Sequence, residues 1–64
     1  MSQDPSPYFD MKRHGATAHE VYLQAMANGF KRHECLILIM GVFDLELAQA
    51  REIGHEIYFE RKSP

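Results

Sequence analysis

A dense apolar run near the middle of the chain, Cys35 to Met40, limits the possible folds more than any other feature. A run of this kind belongs in a core, but periodicity alone cannot show whether it is a buried strand or a buried helix. A strand would need a partner strand, and the one other candidate, Glu56 to Glu60, is equally typical of the end of a helix. The lack of a clear partner strand favours a helix.

The residue types in and around the run support the same choice. Leu36, Leu38 and Met40 are good helix formers, although β-branched residues alternate with them. We therefore predict a helix over about Lys31 to Val42, with Gly41 near its end as a close-packing or terminating residue. Because apolar residues surround this helix on every side, we expect part of its surface to stay uncovered by two flanking helices.

An earlier helix is indicated by the residues from Thr17 to Glu20, which match a capping box. The Thr17 hydroxyl can accept from the Glu20 amide, and the Glu20 carboxylate can accept from the Thr17 amide. Gly29 tolerates the left-handed conformation that ends many helices, so we predict a helix over about Ala18 to Ala27. Its apolar side falls at helical spacing and consists of Val21, Tyr22, Ala25 and Met26.

A third helix is predicted to begin between Asp44 and Leu47, because Asp44 can accept from free amides of the first turn. Ala50 and Gly54 are small residues on its apolar side and would let another helix approach closely. That side repeats at intervals of three and four and contains Leu47, Ala50, Ile53 or Gly54, and Ile57. We therefore expect residues 17–62 to form one domain of three helices.

The first part of the chain, residues 1–16, is predicted to be an irregular N-terminal arm. Pro5 and Pro7 disfavour helix at the residues before them. Tyr8 and Phe9 stand out in this otherwise polar stretch, and three alternatives remain open: they lie across the core, they dock into a partner, or they are disordered. The expected fold class is all-α, a compact three-helix bundle preceded by this arm.

The composition argues against several classes of function. The net charge of -2 gives no electrostatic reason to expect a nucleic acid or an anionic membrane as the partner. No apolar run approaches the roughly 20 residues of a membrane span, and the first residues show no signal-peptide pattern. A single cysteine excludes an internal disulfide and fits a reducing compartment, so we expect a soluble, cytoplasmic chain.

No motif in the sequence predicts catalysis, a metal site or a cofactor. His33 lies two residues from Cys35, and on a helix these side chains point in different directions, so they form no catalytic dyad by themselves. The four histidines occur without the spacing of a metal-binding pair, which makes solvated or capping histidines the expected interpretation. We therefore predict a protein that is not an enzyme and that binds no metal or cofactor.

Two stretches resemble known binding modules. The residues from Asn28 to Arg32, an apolar helix, and the segment from Asp44 to Ala48 together resemble the pattern of ubiquitin-associated (UBA) domains. In that family a Met-Gly-Phe loop follows the first helix, and Asn28 stands here where the family usually has methionine. The segment from Phe43 to Glu52 is also similar to the helix hairpin of the bacterial ribosomal stalk protein's C-terminal domain. Both resemblances imply helices in these positions and a binding function rather than an enzymatic one.

These observations together predict a small, non-catalytic protein-protein interaction module with a UBA-like fold. We expect it to bind another protein through the Gly-Phe loop and an apolar surface of the second and third helices, with candidate partner-binding residues Asn28, Gly29, Phe30, Ile37, Met40, Phe43 and Leu45. An uncovered strip that includes Ile37 and Met40 would also allow a homodimer.

The alternative function is that of a small helix-turn-helix DNA-binding or regulatory protein. Such a protein needs basic and polar residues on the helix that enters the DNA groove. The third predicted helix instead carries an acidic stripe, which DNA phosphates would repel, at Glu52, Glu56 and Glu60. Nucleic acid is therefore the less favoured partner.

Overall fold

The computed structural model describes residues 4–62, and these residues form four α-helices joined by short turns. The helices are α1 Ser6–Arg13, α2 Ala18–Ala27, α3 Arg32–Phe43 and α4 Leu47–Lys62. No β-strand occurs in this range, so the prediction of an all-α chain is confirmed. The prediction of three helices is wrong by one, because α1 forms in a stretch whose prolines point to irregular structure.

The helix α1 replaces most of the irregular arm predicted over residues 1–16, of which the first three lie outside the described range. Both prolines lie at the beginning of the helix, where the backbone amides have no intrahelical partner to lose. Pro5 is the N-cap and Pro7 follows in the first turn, and the Asp4 carboxylate accepts a hydrogen bond of 3.0 Å from the Ser6 amide. The prolines therefore mark the start of a helix rather than its absence.

The aromatic pair of α1 divides between the core and the surface, because Tyr8 is buried while Phe9 is exposed. The Tyr8 hydroxyl accepts from Asn28 Nδ2 at 2.8 Å, and the Tyr8 ring meets the Phe30 ring edge-on with centroids 5.4 Å apart. Contacts of this kind hold α1 against α2 and α3. The interpretation that this pair lies across the core is thus confirmed for Tyr8 and wrong for Phe9.

The capping box predicted at the start of α2 is confirmed. The Thr17 amide donates to Glu20 Oε1 at 2.8 Å, and the Glu20 amide donates to the Thr17 hydroxyl at 3.1 Å. At the other end Gly29 has a φ of 96°, and the Phe30 amide donates to the Ala25 carbonyl at 3.0 Å. This is a Schellman ending, in which glycine takes the left-handed position without a steric penalty. The helix begins and ends where the sequence predicts.

The central helix is α3, which contacts each of the other three. The prediction of a helix over Lys31 to Val42 is confirmed to within one residue at each end. Gly41 lies inside the helix, and a Cβ built on it would meet no atom within 4 Å, so neither predicted role for this glycine is correct. The side of α3 that faces the core carries Cys35, Leu38, Ile39 and Val42.

The turn between α3 and α4 differs from the prediction at Asp44. This residue is not the N-cap of the last helix; it ends α3 in the left-handed conformation, with a φ of 55° and a ψ of 48°. The Leu45 amide donates to the Met40 carbonyl at 3.1 Å, which repeats the pattern that follows Gly29. α4 begins directly after Glu46, whose amide donates to the Gln49 side chain at 3.0 Å.

The helix α4 packs through its small residues, as predicted. Ala50, Gly54 and Ile57 are buried. A Cβ built on Gly54 would lie 3.1 Å from the Tyr22 hydroxyl, which confirms the close approach expected at this position. Leu47 is 52% exposed, so its predicted place on the apolar side of the helix is wrong.

The four helices share one core and enclose it closely. The radius of gyration is 11.1 Å, close to the value of about 11 Å expected of a compact chain of this size. No helix within residues 4–62 is long and apolar enough to cross a membrane. The buried hydrophobic side chains come from all four helices, namely Tyr8, Val21, Tyr22, Ala25, Cys35, Leu38, Ile39, Val42, Ala50 and Ile57.

Candidate functional site

An apolar groove of about 360 Å³ lies between α2, the α2–α3 turn and the second half of α4. The first two contribute Tyr22, Met26 and Phe30, and α4 contributes Gly54, Ile57 and Tyr58. Arg32, the first residue of α3, is the one charged residue among the described side chains that line it. We call this concavity the aromatic groove.

The groove arises from residues four apart on two helices. Tyr22 and Met26 share one face of α2, and Gly54 and Tyr58 share one face of α4, because residues at this spacing are neighbours on a helix surface. Gly54 lets α4 approach its neighbours closely, since a Cβ there would crowd the Tyr22 hydroxyl and Leu36. At this residue the lining of the depression is therefore helix backbone rather than a side chain.

The Arg32 guanidinium lies over the Tyr58 ring, with its central carbon 4.7 Å from the ring centroid. A guanidinium in this position is attracted by the negative face of the ring, which favours a defined orientation over free rotation. The same guanidinium also hydrogen-bonds with the Tyr22 phenol. The Tyr58 ring is 47% exposed, so the stacked pair is accessible to solvent.

Two ionisable groups behind the groove stay neutral. Burial raises the pKa of the Tyr22 phenol, and the nearby Cys35 adds to the increase, while the positive charge of Arg32 acts in the opposite direction. Burial raises the pKa of the Cys35 thiol to about 11, with a further contribution from Glu34. The thiol donates to the Phe30 carbonyl at 3.9 Å and is fully buried. A thiol in this state is a core group and not a nucleophile at neutral pH.

A second and wider groove, of about 810 Å³, lies beside the first along α3 and α4. Arg32 and Gly54 line both grooves. Leu36 and Phe59 are the large apolar residues of the second groove. Phe59 is 69% exposed, and its ring meets the His55 ring with centroids 6.4 Å apart. Charges of both signs surround it, at Arg32, Arg51, Glu52 and Glu56. We call it the charged groove.

The predicted binding loop contributes one residue to the aromatic groove. Phe30 lines the groove and is half-buried. Asn28 is exposed but donates its side-chain amide to the Tyr8 hydroxyl, so it helps to hold α1 in place. Gly29 supplies the left-handed turn and lines neither groove. The structure therefore places Phe30 at the candidate site and gives the other two residues structural contacts.

The predicted α3 surface is largely covered. Ile37 is 65% exposed, whereas Met40, Phe43 and Leu45 are half-buried and pack against the core. Lys12 Nζ lies 5.5 Å from the centroid of the Phe43 ring, so α1 covers this end of α3. None of these four residues lines either groove. The predicted apolar strip thus reduces to one exposed isoleucine, and the structure does not bring it together with Phe30.

Most residues of the aromatic groove were not among the sequence-predicted site residues. Tyr22 and Met26 were assigned to the core stripe of their helix, and Gly54 was predicted only as a point of close approach. Arg32 and Tyr58 carried no sequence signal, because their contact joins residues far apart in the chain. One sequence pattern does indicate the groove. Gly54 lies one turn before Tyr58, so a residue without a side chain and a large aromatic residue share one face of the helix.

No three His, Cys, Asp or Glu side chains come together in a metal-binding arrangement within the described residues. Comparison of the chain with protein-family models, with curated proteins and with solved structures finds no match.

Proposed function

We propose that the chain is a non-catalytic protein-protein interaction module that holds a segment of a partner protein in the aromatic groove. The observation that carries this proposal is the exposed Tyr58 ring, stacked with Arg32 beside an apolar depression. Phe30 from the predicted Gly-Phe loop forms part of the same lining.

The residue types at the groove are those enriched where proteins bind one another. Tyrosine, arginine, phenylalanine and methionine are over-represented in protein interfaces, and tyrosine and arginine are frequent hot spots. Here these types meet as Tyr58, Arg32, Phe30 and Met26. A guanidinium stacked on an aromatic ring is oriented before a partner binds, which lowers the entropic cost of binding.

The alternative of a DNA-binding helix-turn-helix protein receives no support from the exposed residues of the last helix. Glu52, Glu56 and Glu60 are all exposed on α4. A recognition helix with carboxylates on its solvent face would repel the phosphates of the duplex. We therefore retain protein binding as the proposed function.

The test is selection of short random peptides displayed on phage against the intact chain. We expect peptides that bind the wild-type chain and that lose affinity by about tenfold or more with Tyr58→Gln, since a central aromatic contact is removed. Leu47→Gln is the matched control, because Leu47 is an apolar residue of α4 that is similarly exposed but lies outside both grooves. Equal affinity for both variants, or no selected peptide, would contradict the proposal.

A further inference from the structure

We propose that the segment bound in the aromatic groove carries a large apolar side chain next to an Asp or Glu, whose carboxylate pairs with Arg32. This inference rests on the proposed function and adds the chemistry of the partner to it. It comes from the charge of the groove, from the state of the Arg32 side chain and from the volume available.

Among the side chains that the structure describes, the charge of the groove is positive and comes from Arg32, since the other lining residues are apolar or uncharged. The raised pKa of Tyr22 favours its neutral phenol. Arg32 also lines the charged groove, and Glu52 and Glu56 lie only in that second groove. An anionic group that enters the aromatic groove therefore meets a cation and no lining carboxylate, which favours an acidic partner over a basic one.

The state of Arg32 favours a carboxylate in particular. Its guanidinium stacks on Tyr58 and hydrogen-bonds with the Tyr22 phenol, and since a guanidinium has five N–H donors, the remaining donors are available for a ligand. A planar guanidinium matches a carboxylate with two parallel hydrogen bonds. Among the described side chains, no second lysine or arginine lines this groove to help neutralise a doubly charged phosphate. The single positive charge of Arg32 therefore matches the single negative charge of a carboxylate.

The volume favours a side chain of a larger partner over an extended ligand. About 360 Å³ lies near the lower end of the range of roughly 300–1,000 Å³ for small-ligand sites. An aromatic or large aliphatic side chain can occupy the depression between Met26 and Tyr58. Its neighbour along the peptide then reaches Arg32 with a short acidic side chain.

The experiment uses the peptides selected for the proposed function, made with a fluorescent label and measured by fluorescence polarisation. We expect the selected sequences to share an Asp or Glu beside a Phe, Leu, Ile or Trp. Arg32→Gln should weaken binding about tenfold, the effect of losing one charged hydrogen-bonded contact. Arg32→Lys keeps the charge but not the planar fork, and should weaken binding by a smaller factor. Circular dichroism on each variant checks that the helices are intact.

The matched control is Arg51→Gln, which makes the same change of net charge on an exposed arginine outside the aromatic groove. We expect it to change affinity by less than about twofold, since a rim charge acts mainly through screened, long-range attraction. In a selected peptide, replacing its Asp by Asn should weaken binding to the wild-type chain as much as Arg32→Gln weakens binding of the unchanged peptide. Both changes together should weaken binding little more than either alone, because each removes the same ion pair.

The outcomes separate the two proposals. Selected peptides without an acidic residue, or equal binding to wild type and Arg32→Gln, would overturn this inference and leave the proposed function standing. Selected peptides insensitive to Tyr58→Gln, or none at all, would contradict the proposed function and this inference together. Binding of 3-phenylpropionate as tight as that of the peptides, and equally dependent on Arg32, would assign the groove to a small acid and overturn the peptide assignment.

Discussion

Asp44 shows how one residue decides where a helix ends. It holds the left-handed conformation that glycine holds at Gly15 and Gly29, although a side chain in that conformation is strained for most residues. Aspartate is among the few types that tolerate it, and the same residue type is also favoured at the start of a helix. The sequence could not distinguish these roles, because Asp44 lies between two helices. The cap at Thr17 was predictable because Glu20 supplies the second half of its pattern.

The conformation of Asp44 predicts that glycine is the better residue at this position. Asp44→Gly should raise the free energy of unfolding by about 0.5–1 kcal/mol, because it removes the strain of a positive φ. Asp44→Ala should lower it, since alanine has neither the freedom of glycine nor the local hydrogen bonding of aspartate. Urea denaturation followed by circular dichroism measures both. A loss of stability with glycine as large as with alanine would show that the carboxylate caps α4 instead.

At the scale of elements, α2 and α3 followed from local signals and α1 did not. A capping box and a Gly ending define α2, and a dense apolar run defines α3, so both could be predicted within one residue. The stretch Ser6–Arg13 is short and polar apart from its aromatic pair and a methionine. Helices of this length are marginal alone, so α1 depends on the burial of Tyr8 against α2 and α3, a contact that no local pattern records.

The two glycines inside helices should respond oppositely to alanine. Gly41→Ala should raise the free energy of unfolding by about 0.5–1 kcal/mol, because helix propensity improves and the Cβ meets open space. Gly54→Ala gains the same propensity, but its Cβ would lie within 3.1–3.3 Å of Tyr22 and Leu36 atoms. Because the Tyr22 ring is buried and cannot move away freely, we expect Gly54→Ala to be destabilising.

Thermal or urea denaturation of the two variants side by side checks this prediction. The comparison is well matched, since each change is Gly to Ala within a helix and neither glycine has a positive φ. Equal gains in stability from both variants would mean that α4 does not approach Tyr22 as closely as described.

At the scale of the whole molecule, the main consequence of α1 is that it covers much of the apolar surface of α3. The sequence predicts an uncovered strip because two flanking helices cannot surround α3. With three flanking helices, Ile37 is the only large apolar side chain of α3 that stays strongly exposed. The aromatic groove was beyond sequence reasoning for a related reason. It joins Tyr22, Arg32 and Tyr58, which come from three helices, and only the packing of those helices brings them together.

Because α3 exposes one large apolar side chain, that of Ile37, we predict that this helix does not form a homodimer interface. Burying one such side chain from each chain would contribute about 1.5–3 kcal/mol per chain, against an association cost of about 4–15 kcal/mol. We therefore expect sedimentation equilibrium over a hundredfold range of concentration to give the monomer mass, with no change for Ile37→Lys. A dimer that Ile37→Lys dissociates would restore the predicted strip as an interface.

The buried thiol predicts how stability changes at alkaline pH. Cys35 has a pKa of about 11 in the folded chain against a usual 9.0, so folding favours the neutral thiol. The stability that this preference contributes is complete below about pH 9 and is lost as the pH rises through 11. The free energy of unfolding should fall across this interval, and it should fall less steeply in Cys35→Ala. Parallel pH profiles of the two chains would show that Cys35 titrates alike in both states.

The attachment of α1 also bears on which parts of the chain open first. Within the described residues α1 contacts α2 and α3 and does not pack against α4, so it can detach while the other three helices stay together. Free energies of local opening are lowest for terminal elements with few buried contacts, and the amides of α1 belong to that class. Detachment would remove Tyr8 from the Phe30 ring and from Asn28, and so would loosen one wall of the aromatic groove. The rigidity of the groove is therefore set partly by a helix that does not line it.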